Sequence, residues 1–92
     1  ATNKKTSIDK IIKIIQEESG LKDILKYTRK RNYVDARRIF YHILRNYHYL
    51  SLDKIGKISR NRNHATVLHG LRNVEFLMKV DPSISNLFNR VI

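Results

Sequence analysis

Ser51-Leu52-Asp53-Lys54-Ile55-Gly56-Lys57-Ile58 runs into a polar turn, Ser59-Arg60-Asn61-Arg62, and then into Asn63-His64-Ala65-Thr66-Val67-Leu68-His69-Gly70-Leu71-Arg72. Ser51 is a good N-cap. Leu52, Ile55 and Ile58 stand three apart, enough for about two turns of buried stripe. Gly56 leaves room for a close approach. Asn63 caps a second, longer helix that the pattern carries to about Lys79. Val67, Leu71, Val74 and Met78 are its inward stripe. A short helix, a tight polar turn and a longer helix, over residues 51–79, are the outline of a helix-turn-helix.

In that motif the second helix enters the DNA major groove by its N-terminal end and the first crosses the backbone. At about 100° per residue, Arg62, Ala65, His69 and Arg72 fall opposite the core stripe. Asn63, His64 and Leu68 lie at the leading end or flank. Small and polar groups there suit base edges, and the basic groups suit phosphates. Bland readings stand beside these. Asn63 also reads as a cap alone, His64 as turn packing and His69 as a solvated surface residue. Thr66 also reads as a local cap, and Leu68 reads as core before it reads as a thymine-methyl contact.

The charge distribution agrees with a polyanionic partner. The chain of 92 residues has a formal charge of +11. Residues 22–72 hold thirteen basic side chains against three acidic ones, a net +10. Solubility alone does not require that concentration in the middle of a domain.

Outward from residues 51–79, the remaining chain reads as helices. Ser7 caps a helix whose Ile8, Ile11, Ile12 and Ile15 form one stripe and which ends near Ser19-Gly20. A short helical turn over Leu21–Tyr27 offers Leu21, Ile24 and Leu25. Thr28–Asn32 is a basic loop. A long helix from about Tyr33 to Tyr47 sets Ala36, Phe40, Ile43, Leu44 and Tyr47 inward, with Arg37, Arg38 and Arg45 on its other side. Asp81-Pro82 opens a last helix that buries Ile84, Leu87, Phe88 and Val91. No segment alternates with a period of two. The expected fold is all-α, one domain over residues 1–92, with about six helices around a central helix-turn-helix.

Several chemistries are excluded by composition. Cysteine is absent, so there is no disulfide framework, thiolate site or cysteine nucleophile. No Gly-rich phosphate loop or nucleophile elbow exists. His42, His48, His64 and His69 lack the spacing and acidic company of a zinc site. The acids form no pair suited to acid/base work. Neither an enzyme, a cofactor nor a metal is expected. No apolar run approaches the roughly 20 residues that span a bilayer, and Ala1–Lys5 has no signal-peptide character. These readings imply a soluble, cytoplasmic protein that binds no small molecule.

Arg62-Asn63-His64-Ala65-Thr66-Val67-Leu68-His69, preceded by Ser51-Leu52-Asp53-Lys54-Ile55-Gly56, resembles the C-terminal DNA-binding domain of the bacterial chromosomal replication initiator DnaA, within the Trp-repressor-like helix-turn-helix superfamily. The family pattern runs roughly Gly-Gly-Arg-Asp-His-Thr-Thr-Val-x-His after Ser-x-x-x-Ile-Gly. Arg29-Lys30-Arg31 matches the family's basic loop, and Arg37-Arg38-Ile39 its Arg-Gln-Ile. The resemblance implies double-stranded DNA as partner, with Arg29 in the minor groove and Asn63, His64 and Ala65 reading major-groove bases. It implies phosphate contacts at or near Arg31, Arg37, Arg38, Arg45, Ser51, Thr66 and His69. The residues themselves add Leu68 to the base readers and Arg62 and Arg72 to the phosphate ligands.

Four positions depart from the family pattern. Its aspartate is Asn63, its first threonine is Ala65, its Gly-Gly is Arg60-Asn61, and a proline in the preceding helix is Asp53. A carboxylate only accepts, which suits a cytosine amine. An amide also donates, which suits adenine. The preferred box is therefore open. The family's ATPase would need a few hundred further residues, so the chain reads as an excised domain or a stand-alone bacterial or phage relative. It is expected to be monomeric. The competing readings are a protein-interaction module of a replication or mobile-element factor, a transcriptional regulator, and an RNA binder. RNA readers present aromatics to bases, whereas Tyr27, Tyr33, Tyr41, Tyr47 and Tyr49 read as packing or rim.

Overall fold

Ser7 Oγ accepts a hydrogen bond from the Lys10 backbone N–H and opens helix α1, Ile8–Ser19. Ile11 and Ile15 form its buried stripe, with Ile8 and Ile12 half-buried against the core. Gly20 ends it in a left-handed conformation, φ 73°, which a residue without Cβ adopts at little cost. The computed structural model describes residues 7–92. The Ala1–Lys5 segment read above for a leader lies outside them.

Leu21–Tyr27 forms no helix but one hydrogen-bonded turn, in which Lys26 N–H donates to Asp23 O at 3.1 Å, so the described residues carry five helices and no strand. Asp23 turns the backbone to φ 50°, and the Ile24, Leu25 and Lys26 carbonyls are taken by side chains from elsewhere. Ile24 and Leu25 are nevertheless buried.

Helix α2, Arg31–Asn46, starts two residues before the expected Tyr33. Its buried residues are Ala36, Arg37, Ile39, Phe40, Tyr41, Ile43 and Leu44. They occupy much more than one stripe, because α2 is central. It packs on α1, on α3 (Leu52–Ile58) and on α4 (His64–Val80). Ser51 caps α3 by accepting from Lys54 N–H. Asn63 caps α4 by accepting from Ala65 N–H at 2.7 Å. Val67, Leu71 and Val74 are buried on α4, and Met78 is half-buried. Asp81 caps α5, Pro82–Val91, with Pro82 in its first turn. That helix closes over α1 and α4 and buries Ile84 and Val91. The domain measures 29 × 27 × 24 Å. None of its described helices is long and apolar enough to cross a membrane.

Two glycines set how closely the parts approach. A Cβ on Gly56 would stand 2.2 Å from the Arg62 carbonyl oxygen. The neighbour there is the backbone of the turn, and Arg62 N–H donates to Gly56 O at 2.8 Å. A Cβ on Gly70 would stand 2.9 Å from the Tyr41 ring, so Gly70 lets α4 lie close against α2.

Candidate nucleic-acid interface

The turn between α3 and α4 is built from two left-handed residues, Arg60 at φ 59° and Asn61 at φ 60°. They reverse the chain so that α4 starts with its first residues turned outward. Asn63, His64, Ala65 and Thr66 are all exposed, and the next residue, Val67, is fully buried. Asn63 spends Oδ1 on its cap, while no described residue engages its Nδ2. His64, Thr66 and Arg72 make no side-chain hydrogen bond or ion pair among the described residues. His69 is exposed and Leu68 half-buried.

The loop between α1 and α2 lies beside this turn and carries Arg29. Two arginines hold the loop from behind. Arg37 donates to Ile24 O at 3.4 Å, Lys26 O at 3.0 Å and Thr28 O at 2.8 Å. Arg62 donates to Leu25 O at 2.6 Å, Lys26 O at 3.2 Å and Ser59 O at 2.7 Å. These bonds replace the amide donors that a helical turn would have supplied, which is why the loop is ordered without being helical. Arg37 is only 9% exposed and acts as a strut of the loop, while its edge still lines two of the surface depressions. Burial lowers the pKa of its guanidinium from the ordinary arginine value, and the Arg62 charge adds to that. It stays cationic in neutral water. Arg62 is largely committed in the same way.

Around these struts the surface is continuous and basic. Three shallow depressions adjoin one another. One, of about 470 Å³, is lined by Arg29, Arg31, Val34, Arg38, Asn73, Phe76 and Leu77. A second, between α2 and the first half of α4, includes Arg38, Arg62, Thr66 and His69. The third joins Arg29 to Tyr27 and Arg62. Arg31 and Arg38 of this face are ion-paired with Asp35, at 3.2 Å and 3.7 Å. Arg29 has no partner among the described residues and is exposed. Arg45 lies further round α2, donating to Leu50 O at 2.9 Å beside Ser51. Ser51 Oγ acts as acceptor in its cap, so its hydroxyl proton is still free to donate.

The site thus brings together Arg29, Arg31, Arg38, Arg62, Asn63, His64, Ala65, Thr66 and His69, with Arg72 one turn further along α4. Sequence reasoning missed what fixes them. Asp23 and Arg60 form an ion pair at 2.6 Å, and the Tyr27 hydroxyl donates to Arg60 O. These partners lie more than thirty residues apart, so no local pattern announces them. No cluster of three or more metal-ligating side chains occurs among the described residues.

A small all-α domain whose helix-turn-helix presents a free leading turn within a polycationic surface defines the class of protein. The chain belongs to the bacterial DnaA protein helix-turn-helix family, whose model matches residues 8–74. It is 40% identical over 93 residues to the chromosomal replication initiator protein DnaA of Lachnoclostridium phytofermentans, covering 98% of this chain and 20% of that one. The protein of the same name from Bacteroides thetaiotaomicron is 39% identical over 82 residues, covering 87% and 17%. That of Borreliella burgdorferi is 34% identical over 92 residues, covering 98% and 19%. The chain therefore spans about a fifth of the length of these relatives.

Proposed function

We propose that this domain binds double-stranded DNA with sequence preference. The leading turn of α4 enters the major groove, where Asn63, His64 and Ala65 meet base edges and Leu68 flanks them. Arg29 enters the adjacent minor groove. Arg31, Arg38, Arg45, Ser51, Thr66, His69 and Arg72 face phosphates. The observation that carries this reading is the exposure of four consecutive residues, Asn63–Thr66, at a helix N-terminus bordered by Arg29, which has no partner among the described residues. A helix N-terminus favours the phosphate backbone, and its exposed polar side chains can reach bases.

The relatives are named replication initiators, and the role proposed for this domain is the corresponding one of attaching a cytoplasmic initiator, or a regulator of initiation, to its sites. It does so as a monomer, without cofactor or catalysis. One observation favours a second reading as a protein-docking module. Phe76 and Val80, one turn apart on α4, are 63% and 57% exposed.

Selection from a random duplex library, followed by titration of the enriched box, tests the assignment. His64→Ala and Arg29→Ala should each weaken the selected box by about tenfold or more. A library that enriches no motif refutes sequence preference and moves the assignment to docking or to non-specific binding.

A further inference from the structure

Asp23 and Arg60 make a two-pronged contact, with Nη2 donating to Oδ1 at 2.6 Å and Nη1 to Oδ2 at 3.1 Å. Both residues sit in left-handed backbone, at φ 50° and 59°. Glycine would occupy either conformation more easily, and the family pattern has glycine at the position of Arg60. What arginine adds there is its side chain, which crosses to the α1–α2 loop. Tyr27 reinforces the crossing from the loop side. Its hydroxyl donates to Arg60 O, and the Arg62 guanidinium lies 4.7 Å from its ring centroid. Tyr27 is 72% exposed, so these contacts, rather than burial, account for its placement. The loop so held carries Arg29, and the turn so held carries Asn63 and His64.

We propose that Asp23, Tyr27 and Arg60 are positioning residues that clamp the α1–α2 loop to the helix-turn-helix turn. They fix the separation between Arg29 and the leading turn of α4 before a duplex is met. This rests on the DNA-binding reading above. A single exposed ion pair is weak. Here three contacts share one short loop whose carbonyls are already held from behind by Arg37 and Arg62. A loop set in advance avoids the cost of ordering it on binding, and only one spacing of minor-groove and major-groove contacts then fits.

The chain has no cysteine, so Arg29→Cys together with Ala65→Cys gives two unique sites for nitroxide labels. Pulsed electron-electron resonance on the free domain should show one narrow distance, broadened at least about twofold by Arg60→Gly or Asp23→Asn once the clamp no longer orders the loop. Both replacements suit left-handed backbone, so the fold is retained. In unlabelled protein Arg60→Gly should weaken the selected duplex by about three- to fivefold. In an Arg29→Ala background it should cost nothing more, because the clamp acts through Arg29. Unchanged distance widths overturn the proposal. So does an equal loss with and without Arg29, which would make Arg60 a phosphate ligand itself. Absence of any duplex binding would remove the DNA-binding reading alone, since the distance measurement decides the clamp independently.

Discussion

Replacing Arg37 by alanine separates the two tasks an arginine at that position could have. Arg37 is 9% exposed. It makes two good hydrogen bonds, at 3.0 and 2.8 Å, and a long one at 3.4 Å, all to loop carbonyls. A hydrogen bond from a charged donor contributes about 1.5 kcal/mol at the low end of its range. The two short bonds then come to about 3 kcal/mol, an upper figure because carbonyls at the loop's edge can turn to water. A domain of 92 residues has a total stability of about 5 to 14 kcal/mol. Arg37→Ala should therefore stay folded at 25 °C but melt lower by up to about 12–24 °C, at about 4–8 °C per kcal/mol. Arg72→Ala is the contrast. Arg72 has no partner among the described residues, so its loss should leave the melting temperature in place. It should make the slope of log affinity against log salt shallower by about 0.9. Differential scanning calorimetry and salt titrations of the selected duplex read both quantities. An Arg37→Ala domain that melts within about 3 °C of the parent and loses about 0.9 of salt slope would refute the reasoning, and would return Arg37 to the phosphate ligands.

Other perturbations follow from particular contacts. Gly56→Ala should destabilise by about 1–3 kcal/mol in urea titrations, because its Cβ meets backbone at 2.2 Å; a neutral result would mean that the turn is free to move. At Gly20, where nothing lies within 4 Å, alanine should cost only the roughly 1 kcal/mol of a left-handed conformation. The His42 ring packs edge-on against Phe88, with centroids 5.1 Å apart, and burial lowers its pKa from 6.5, with Glu75 opposing. A cation disfavoured in the folded state makes the associated stability fully present above about pH 6.5 and lost as pH falls below it. Melting temperatures between pH 7.5 and 5 should decline in the parent and flatten in His42→Gln, and equal slopes would exclude His42 as the cause. Asn63→Asp keeps the cap but removes a donor. It should shift selected duplexes from adenine towards cytosine at the contacted position, by about tenfold or more, whereas an unchanged motif would limit Asn63 to capping.

Much of the fold was legible because helix signals are local. Ser7, Ser51, Asn63 and Asp81 cap where a short polar side chain precedes an apolar period, and Gly20 stops α1 where a left-handed residue is needed. The stripes Ile11/Ile15, Val67/Leu71/Val74 and Ile84/Val91 follow from the pitch of a helix. The candidate surface was legible for related reasons, since exposure of Asn63–Thr66 follows once Val67 is set inward. Where local reading failed, the deciding contact came from far along the chain. Leu21–Tyr27 has the composition of a helical turn, but Arg37 and Arg62 take the Ile24, Leu25 and Lys26 carbonyls and only a single turn, Asp23 to Lys26, closes. Arg37 has the charge of a phosphate ligand, and nothing local shows that it also holds the loop carbonyls. Asp23, Tyr27 and Arg60 show no pattern at all, because a separation of 33 to 37 residues has no period to reveal it. Sequence by itself determined the helices, their caps and the sign of the surface, since these depend on neighbours a few residues away. Tertiary structure alone decided which arginines remain free and which are spent holding the loop. A guanidinium's role depends on the acceptors the fold brings within about 3 Å of it.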